Sequence, residues 1–362
     1  MSSLAHHMPI GTIGLVASIE KAVIVEDDNG QRQQSIPKAS PSMEMETSAR
    51  KTVRDKLSWK IAPLLVVTGL VLYALVGQLS DVDEFATTLA AARWEWIALS
   101  IALMGVTVVL NGWRFQVVLA AGDNKISIRR SVEVLMTVWP LVLVIPARAN
   151  DLLRALALRD EVEPFSCLGS VVAERFIDVQ TLCLLGMAGC AALGAWSWFG
   201  VLAALWVAAW VAVALTVTNV ERLVRWPVVR RFESKFRALF HGFEGLRRKP
   251  GYLAGAIGVS TAAWLSSMAN LGLLLWIFGA TLPATAIAGL WPLAVFAGML
   301  PVTVGGMGTR DGAFVGLVTL VVGSGVAESG MLAATFGYGL ILVILPGVIG
   351  IPLMMRWMLR EA

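Results

Sequence analysis

Apolar residues run along this chain in long stretches without alternation, and polar residues collect between the stretches. A helix that spans a bilayer needs about 20 apolar residues at a rise of about 1.5 Å each. The runs "IAPLLVVTGLVLYALVGQL" (61–79) and "WIALSIALMGVTVVLNGWRFQVVLA" (96–120) meet that length, as do 165–192, 198–218, 252–279 and 329–355. They predict about six full spans. Backbone in hydrocarbon must satisfy its hydrogen bonds internally, and runs this long select helices over a barrel. Two further apolar stretches do not fit. "SVEVLMTVWPLVLVI" (131–145) is short, and about 15 residues reach only about 23 Å of a core about 30 Å thick. Residues 284–322 form a pair of short runs broken at "PVTVGGMGTRDG" (301–312).

The charged stretches set the expected orientation. Arg50, Lys51, Arg54, Lys56 and Lys60 precede the first run, and "GDNKISIRR" (122–130) follows the second. The largest polar stretch, 220–250, is dominated by Arg and Lys, and Arg356 and Arg360 lie near the C-terminus. Basic residues stay on the cytoplasmic side, so both termini and both basic stretches are expected inside. Three full crossings between 130 and 220 would break that parity. It is restored if 131–145 enters from the cytoplasm, turns at Pro146 and returns through "ANDLLRALALR" (149–159). The same count makes 284–322 a hairpin entering from the opposite face, with its break beginning at Pro301. The expected architecture is an all-α polytopic membrane protein, N-in/C-in. It has about six full spans plus two re-entrant hairpins in an inverted-repeat arrangement. Paired broken segments of this kind mark a transport site near the midplane.

Composition supports this class. The chain is 57% hydrophobic and 15% charged, where soluble domains carry about 25% charged residues. Residues 1–57 are polar and read as a disordered cytoplasmic tail. Residues 58–360 form the membrane domain, with 220–250 as a basic cytoplasmic loop that would touch anionic lipid. Cys167, Cys183 and Cys190 fall in or beside one apolar segment and read as small packing residues. Together with His6, His7 and His241 they show no ligand spacing, so no metal and no cofactor is expected. No nucleic-acid partner is expected either.

Charge inside an apolar segment costs about 2.5–3.5 kcal/mol per residue and so marks functional candidates. Arg148, Asp151 and Arg154 recur every three residues after Pro146, with Asn150 among them. On a returning helix they form one stripe, with Asp151 near the helix start, where the dipole favours a carboxylate. Either the stripe is an ion-pair ladder that seals the hairpin, or its arginines hold a phosphate, which planar guanidinium forks suit. "VVAERFIDVQTL" (171–182) places Glu174, Arg175 and Asp178 in a spanning helix. Glu174 and Asp178 are one turn apart and repel unless a cation stands between them. Arg148 or Arg154 would supply it, and Arg175 pairs with Asp178 at i, i+3. Asn111 and Arg114 lie near the inner end of the second run, and Arg114 either joins the site or snorkels to the interface. In the second hairpin Gly305, Gly306 and Gly308 allow a sharp turn, followed by Arg310 and Asp311 at a helix start where free N–H groups suit an anion.

These elements together resemble the lysylphosphatidylglycerol synthase transmembrane-region family, also called the flippase-like or UPF0104 family. That family carries Pro-x-Arg-x-Gly-Glu-x-x-Arg, Glu-Arg-x-x-Asp and a late Pro…Gly-Gly-x-Gly-x-x-Glu. Here they stand as Pro146-Ala-Arg148-Ala-Asn150-Asp151-Leu-Leu-Arg154, Glu174-Arg175-Phe-Ile-Asp178 and Pro301…Gly305-Gly306-Met-Gly308-Thr-Arg310-Asp311. Asn150 replaces a glycine, and Asp151 and Asp311 replace glutamates, which shortens the reach of both acids. The resemblance implies lipid translocation in a bacterial inner membrane. It does not extend to a soluble aminoacyl-transferase domain, so lipid aminoacylation is not expected.

The leading expectation is a flippase- or scramblase-like protein for a phosphate-bearing lipid or a polyprenyl-linked intermediate, working through a polar cavity between the hairpins. Arg148, Arg154 and Arg114 would face the phosphate. One alternative is a membrane enzyme or accessory subunit in envelope lipid or glycan synthesis. It lacks a catalytic constellation, and an enzyme is not expected. The other is a lipid-binding scaffold that moves nothing. A lipid or glycosyl transferase is the expected partner.

Overall fold

The computed structural model describes residues 94–143, 151, 153–219, 233–300, 303, 306–323 and 325–361. All of these belong to the second of two units into which the chain divides, 57–362. The described residues are mostly helical, with no strand among them. The helices are α1 (Trp94–Ala121), α2 (Ile128–Val138), α3 (Leu153–Ala157), α4 (Pro164–Ala192), α5 (Trp196–Thr218), α6 (Glu233–Arg248), α7 (Pro250–Ile277), α8 (Ala284–Gly298), α9 (Thr309–Val321), α10 (Glu328–Gly339) and α11 (Leu345–Glu361). A 3₁₀ turn, Trp139–Leu143, extends α2, and a π-turn, Leu340–Ile344, joins α10 to α11.

Among the described residues, four helical stretches are long and apolar enough to cross a bilayer: Trp94–Ala121, Trp196–Thr216, Pro250–Ile277 and Glu328–Leu359. Helix α4 has 29 residues, but Glu174, Arg175 and Asp178 sit in its middle. Helix α8 has 15 residues and α9 has 13, so each reaches about 20–23 Å. Local chemistry sets several of the ends. Ser127 Oγ accepts from the Arg130 N–H at 3.1 Å and starts α2. Pro164 and Pro250 open α4 and α7, where the first N–H has no intrahelical partner anyway. The π-turn precedes Pro346, whose ring cannot follow an ordinary turn without striking the preceding one.

Packing follows two rules of membrane helices. Small residues let backbones approach: a Cβ on Gly189 of α4 would lie 2.2 Å from the Gly289 nitrogen of α8, so only glycine permits that crossing. Polar side chains join helices inside the apolar layer. Ser100 Oγ of α1 donates to Asn270 Oδ1 of α7 at 2.6 Å, and Asn270 Nδ2 returns a bond to the Ser100 carbonyl at 2.9 Å. The largest apolar cluster surrounds Trp291, Phe314 and Leu290, where α8 meets α9, α10 and α7. Within the basic stretch 220–250, residues 233–248 are helical, and Gly242 and Leu246 pack against α4 and α1. The three cysteines are free and buried.

Candidate functional site

Helices α1, α3, α4 and α7 bring three guanidinium groups and three carboxylates into one buried cluster. Arg114, from α1, does not snorkel; it is 1% exposed. Its Nη2 donates to Glu174 Oε1 at 2.7 Å and its Nη1 to Asp178 Oδ1. It therefore stands between the two acids of α4, a role that sequence spacing offered to Arg148 or Arg154 and that Arg175 shares. Arg154, on α3, donates to Glu174 Oε2 at 2.8 Å and to Asp151 Oδ1 at 2.7 Å. Its guanidinium also lies 5.0 Å from the Phe115 ring centroid. Arg175 donates to Asp178 Oδ2 at 2.9 Å and to Glu174 Oε1 at 3.3 Å, and its Nε lies 3.1 Å from Asp151 Oδ2.

Asp178 is the most heavily used acid. Its Oδ1 accepts from Ser260 Oγ and Trp264 Nε1 of α7, both at 3.0 Å, in addition to Arg114. Ser260 and Trp264 are i, i+4 on one face, so α7 presents two donors at one height. All six carboxylate oxygens of Asp151, Glu174 and Asp178 thus contact a guanidinium, and the formal charges of the cluster sum to zero. Breaking one partner out of a buried network of this kind costs about 3–5 kcal/mol, because the other charge is left behind. The arrangement ties the short helix α3 to α4 and α4 to α1 and α7.

The late broken segment contributes a second pair. Arg310 Nε donates to Asp311 Oδ1 at 2.9 Å, while Asp311 Oδ2 accepts from the Gly308 N–H at 3.0 Å and so caps α9. Gly306 has φ +72° and Gly308 φ +93°. A Cβ on Gly306 would stand 2.5 Å from the Gly298 carbonyl oxygen, so the turn closes directly against the end of α8.

Between these groups lies a cavity of about 210 Å³. Its lining includes Asp151, Arg154, Arg175 and Asp178 on one side and Thr303, Gly306 and Arg310 on the other. Asn111 also lines it, with Nδ2 bonded to the Thr107 carbonyl at 2.8 Å rather than to Arg114. Trp264, Trp291 and Tyr338 complete the wall, and sequence reasoning passed over all three. An aromatic residue in an apolar helix reads as packing, and the signal available was their polar edge. Ser260 was missed for the same reason. Pro146, Arg148, Asn150, Pro301 and Gly305 lie outside the described residues.

A helical membrane protein with a buried, charge-lined cavity is the class these features define. Residues 61–350, more than half of the chain, match the family described as the lysylphosphatidylglycerol synthase TM region, and the chain belongs to that family. It is also similar to a UPF0104 membrane protein of Methanothermobacter thermautotrophicus (strain Delta H). The two are 24% identical over 303 residues, covering 75% of this chain and 88% of the relative.

Proposed function

We propose that this protein carries a phosphate-bearing lipid, or a polyprenyl-linked intermediate, between leaflets of a bacterial inner membrane. The carrying observation is the composition of the cavity wall. Residues from both interrupted stretches, Asp151 and Arg154 from one and Thr303, Gly306 and Arg310 from the other, face the same space. Charged side chains and non-helical backbone at membrane depth are tolerated where they line a wet cavity. The lengths of α2, α8 and α9 favour two re-entrant hairpins beside about six full spans, N-in and C-in, as an inverted repeat. Membership of a family named for a lipid synthase's membrane region supports a lipid substrate. Helix α6 would lie at the cytoplasmic surface near anionic lipid, with Arg247 and Arg248 exposed.

Charge balance reassigns the roles inside the cavity. Arg114, Arg154 and Arg175 each face two or three carboxylates among Asp151, Glu174 and Asp178 and position the hairpin, although Arg154 Nε and Arg175 Nε have no acceptor among the described residues. Head-group contact falls to the cation with a single acidic neighbour, Arg310. Proteoliposomes carrying phosphatidylglycerol with a fluorescent label on one chain test the proposal. Leaflet exchange by the wild type, lost in Asp151→Ala and in Arg148→Ala while both variants still insert, is the expected result. A chemically altered lipid would replace translocation with an enzyme, and lipid retained without exchange would replace it with a scaffold.

A further inference from the structure

One cation on the cavity wall has surroundings unlike the others. Arg310 is 6% exposed. Its guanidinium carbon stands 5.2 Å from the Trp291 ring centroid and 4.9 Å from that of Tyr338. Rings hold a cation by their quadrupole without neutralising it. Among the described residues its carboxylate partner is Asp311, the adjacent residue, whose second oxygen is engaged in capping α9. Arg310 Nη2 lies 2.8 Å from Asp311 Oδ1 but off the line of a hydrogen bond, so among the described residues its N–H groups have no acceptor. Trp291 is fully buried, and its indole N–H also has no acceptor among them. Both side chains line the cavity. A buried donor left unmade costs about 1–3 kcal/mol, and here two of them belong to residues of one wall. The start of α9 adds the positive end of a 13-residue helix.

The early cluster is a poorer anion site. Its three cations already face three carboxylates, and an anion there would meet Asp151 and Asp178 on the same wall. On the premise that the cavity receives a lipid head group, we infer that Arg310 Nη2 and Trp291 Nε1 together form the subsite for a phosphate oxygen of that head group. A singly charged phosphodiester suits it. The guanidinium supplies a charge-assisted bond, the indole a second, and the flanking rings keep the cation in place. Tyr338 is itself anchored to Ser267 of α7 by a short hydroxyl–hydroxyl contact of 2.5 Å, which fixes one wall of the ring cage.

The test is binding of short-chain dihexanoyl phosphatidylglycerol to the purified full-length protein in detergent, read by calorimetry. Dihexanoylglycerol, which lacks the phosphate, serves as the comparison. Trp291→Phe removes the N–H together with the pyrrole half of the indole; Arg310→Lys keeps the charge and removes the fork. Each is expected to weaken phosphatidylglycerol about tenfold or more. The thermal midpoint of Trp291→Phe should fall, because a fully buried ring becomes smaller; dihexanoylglycerol should bind all three proteins weakly and alike, which separates loss of the N–H from loss of packing. Inorganic phosphate that competes with the same dependence on both residues would keep the subsite and make the free ion its ligand. Equal affinity for phosphatidylglycerol in wild type and both variants overturns the subsite, as does a wild type that binds no phosphate-bearing probe. Leaflet exchange in proteoliposomes separates the two claims. Exchange that persists in both variants alongside unchanged affinity removes the subsite and leaves translocation standing, whereas a wild type without exchange removes translocation.

Discussion

The two charged regions of the cavity are built in opposite ways. The early one joins Arg114, Asp151, Arg154, Glu174, Arg175 and Asp178 from three helices and the segment preceding α3, and its partners are up to 64 residues apart. The late one pairs neighbours, Arg310 and Asp311, and surrounds them with rings. Both balance in formal charge, but a network with distant partners fixes helices against one another and surrounds each cation with several acids. A pair formed between neighbours fixes nothing at long range and gives its cation a single acidic neighbour. Charge at membrane depth therefore does not by itself identify a binding group; the state of its partners does.

The largest effect should come from breaking the early network. Arg114→Met removes the most buried cation of the cluster and leaves three carboxylates facing two guanidinium groups, at a cost of about 3–5 kcal/mol. Thermal unfolding in detergent should show a large drop or loss of the folded species. Arg310→Met removes a cation bonded to one local acid and should cost clearly less. Equal destabilisation by the two changes would erase the distinction between lock and site.

Next in size is Gly306→Ala. At φ +72° a Cβ costs about 1–2 kcal/mol, and the Gly298 carbonyl 2.5 Å away must also move. The turn carries Arg310 at its exit, so leaflet exchange should fall further than stability does. A variant with wild-type exchange would show that the close seating of this turn is unimportant to the cavity.

A smaller effect tests whether the two regions communicate. Trp139, in the 3₁₀ turn after α2, donates its indole N–H to the Val343 carbonyl in the π-turn at 3.2 Å. A π-turn frees carbonyls that an α-helix would use, so this bond spans the early and late halves through irregular backbone on both sides. Trp139→Phe should cost about 1 kcal/mol and alter exchange rate without abolishing exchange. No change in rate would make the contact a packing detail.

How far the sequence carried the structure differs between these regions for a physical reason. Helix extents were legible because length and hydropathy decide them: the ends of the runs 96–120, 165–192, 198–218 and 252–279 fall within two residues of those of α1, α4, α5 and α7. Pairs close in sequence were legible too. Arg175 with Asp178, and Asp151 with Arg154, follow from one helical turn. The need for a cation between Glu174 and Asp178 was also readable, but its source was not. Arg114 reaches them from 60 residues away through helix packing, and nothing in local spacing prefers it to Arg148 or Arg154. Trp291 and Tyr338 were invisible for the converse reason: their rings match the apolar pattern, and only their position beside Arg310 gives them a polar task.

The smallest effect lies outside the cavity and sharpens the contrast between buried and exposed networks. On α6, Glu244 accepts from Arg247 at 2.7 Å and from Arg248 at 2.7 Å, and the two arginines are more than 70% exposed. Hydrogen bonds from Arg247 and then Arg248 hold the Glu244 carboxyl at about 2, below the usual value near 4.3. A depressed carboxyl stabilises the fold in its ionised form. Its contribution is complete above about pH 4.3 and is lost as pH falls from there toward about 2. Glu244→Gln should therefore lower the thermal midpoint slightly at pH 6, show less decline than wild type between pH 5 and pH 3, and match wild type in 1 M salt, where a Debye length of about 3 Å screens exposed pairs. The Arg114 network, shielded from solvent, should keep its effect at the same salt concentration. An Arg114→Met defect that salt abolished would mean that the early cluster is open to ions, and the lock would then be no more buried than the pair on α6.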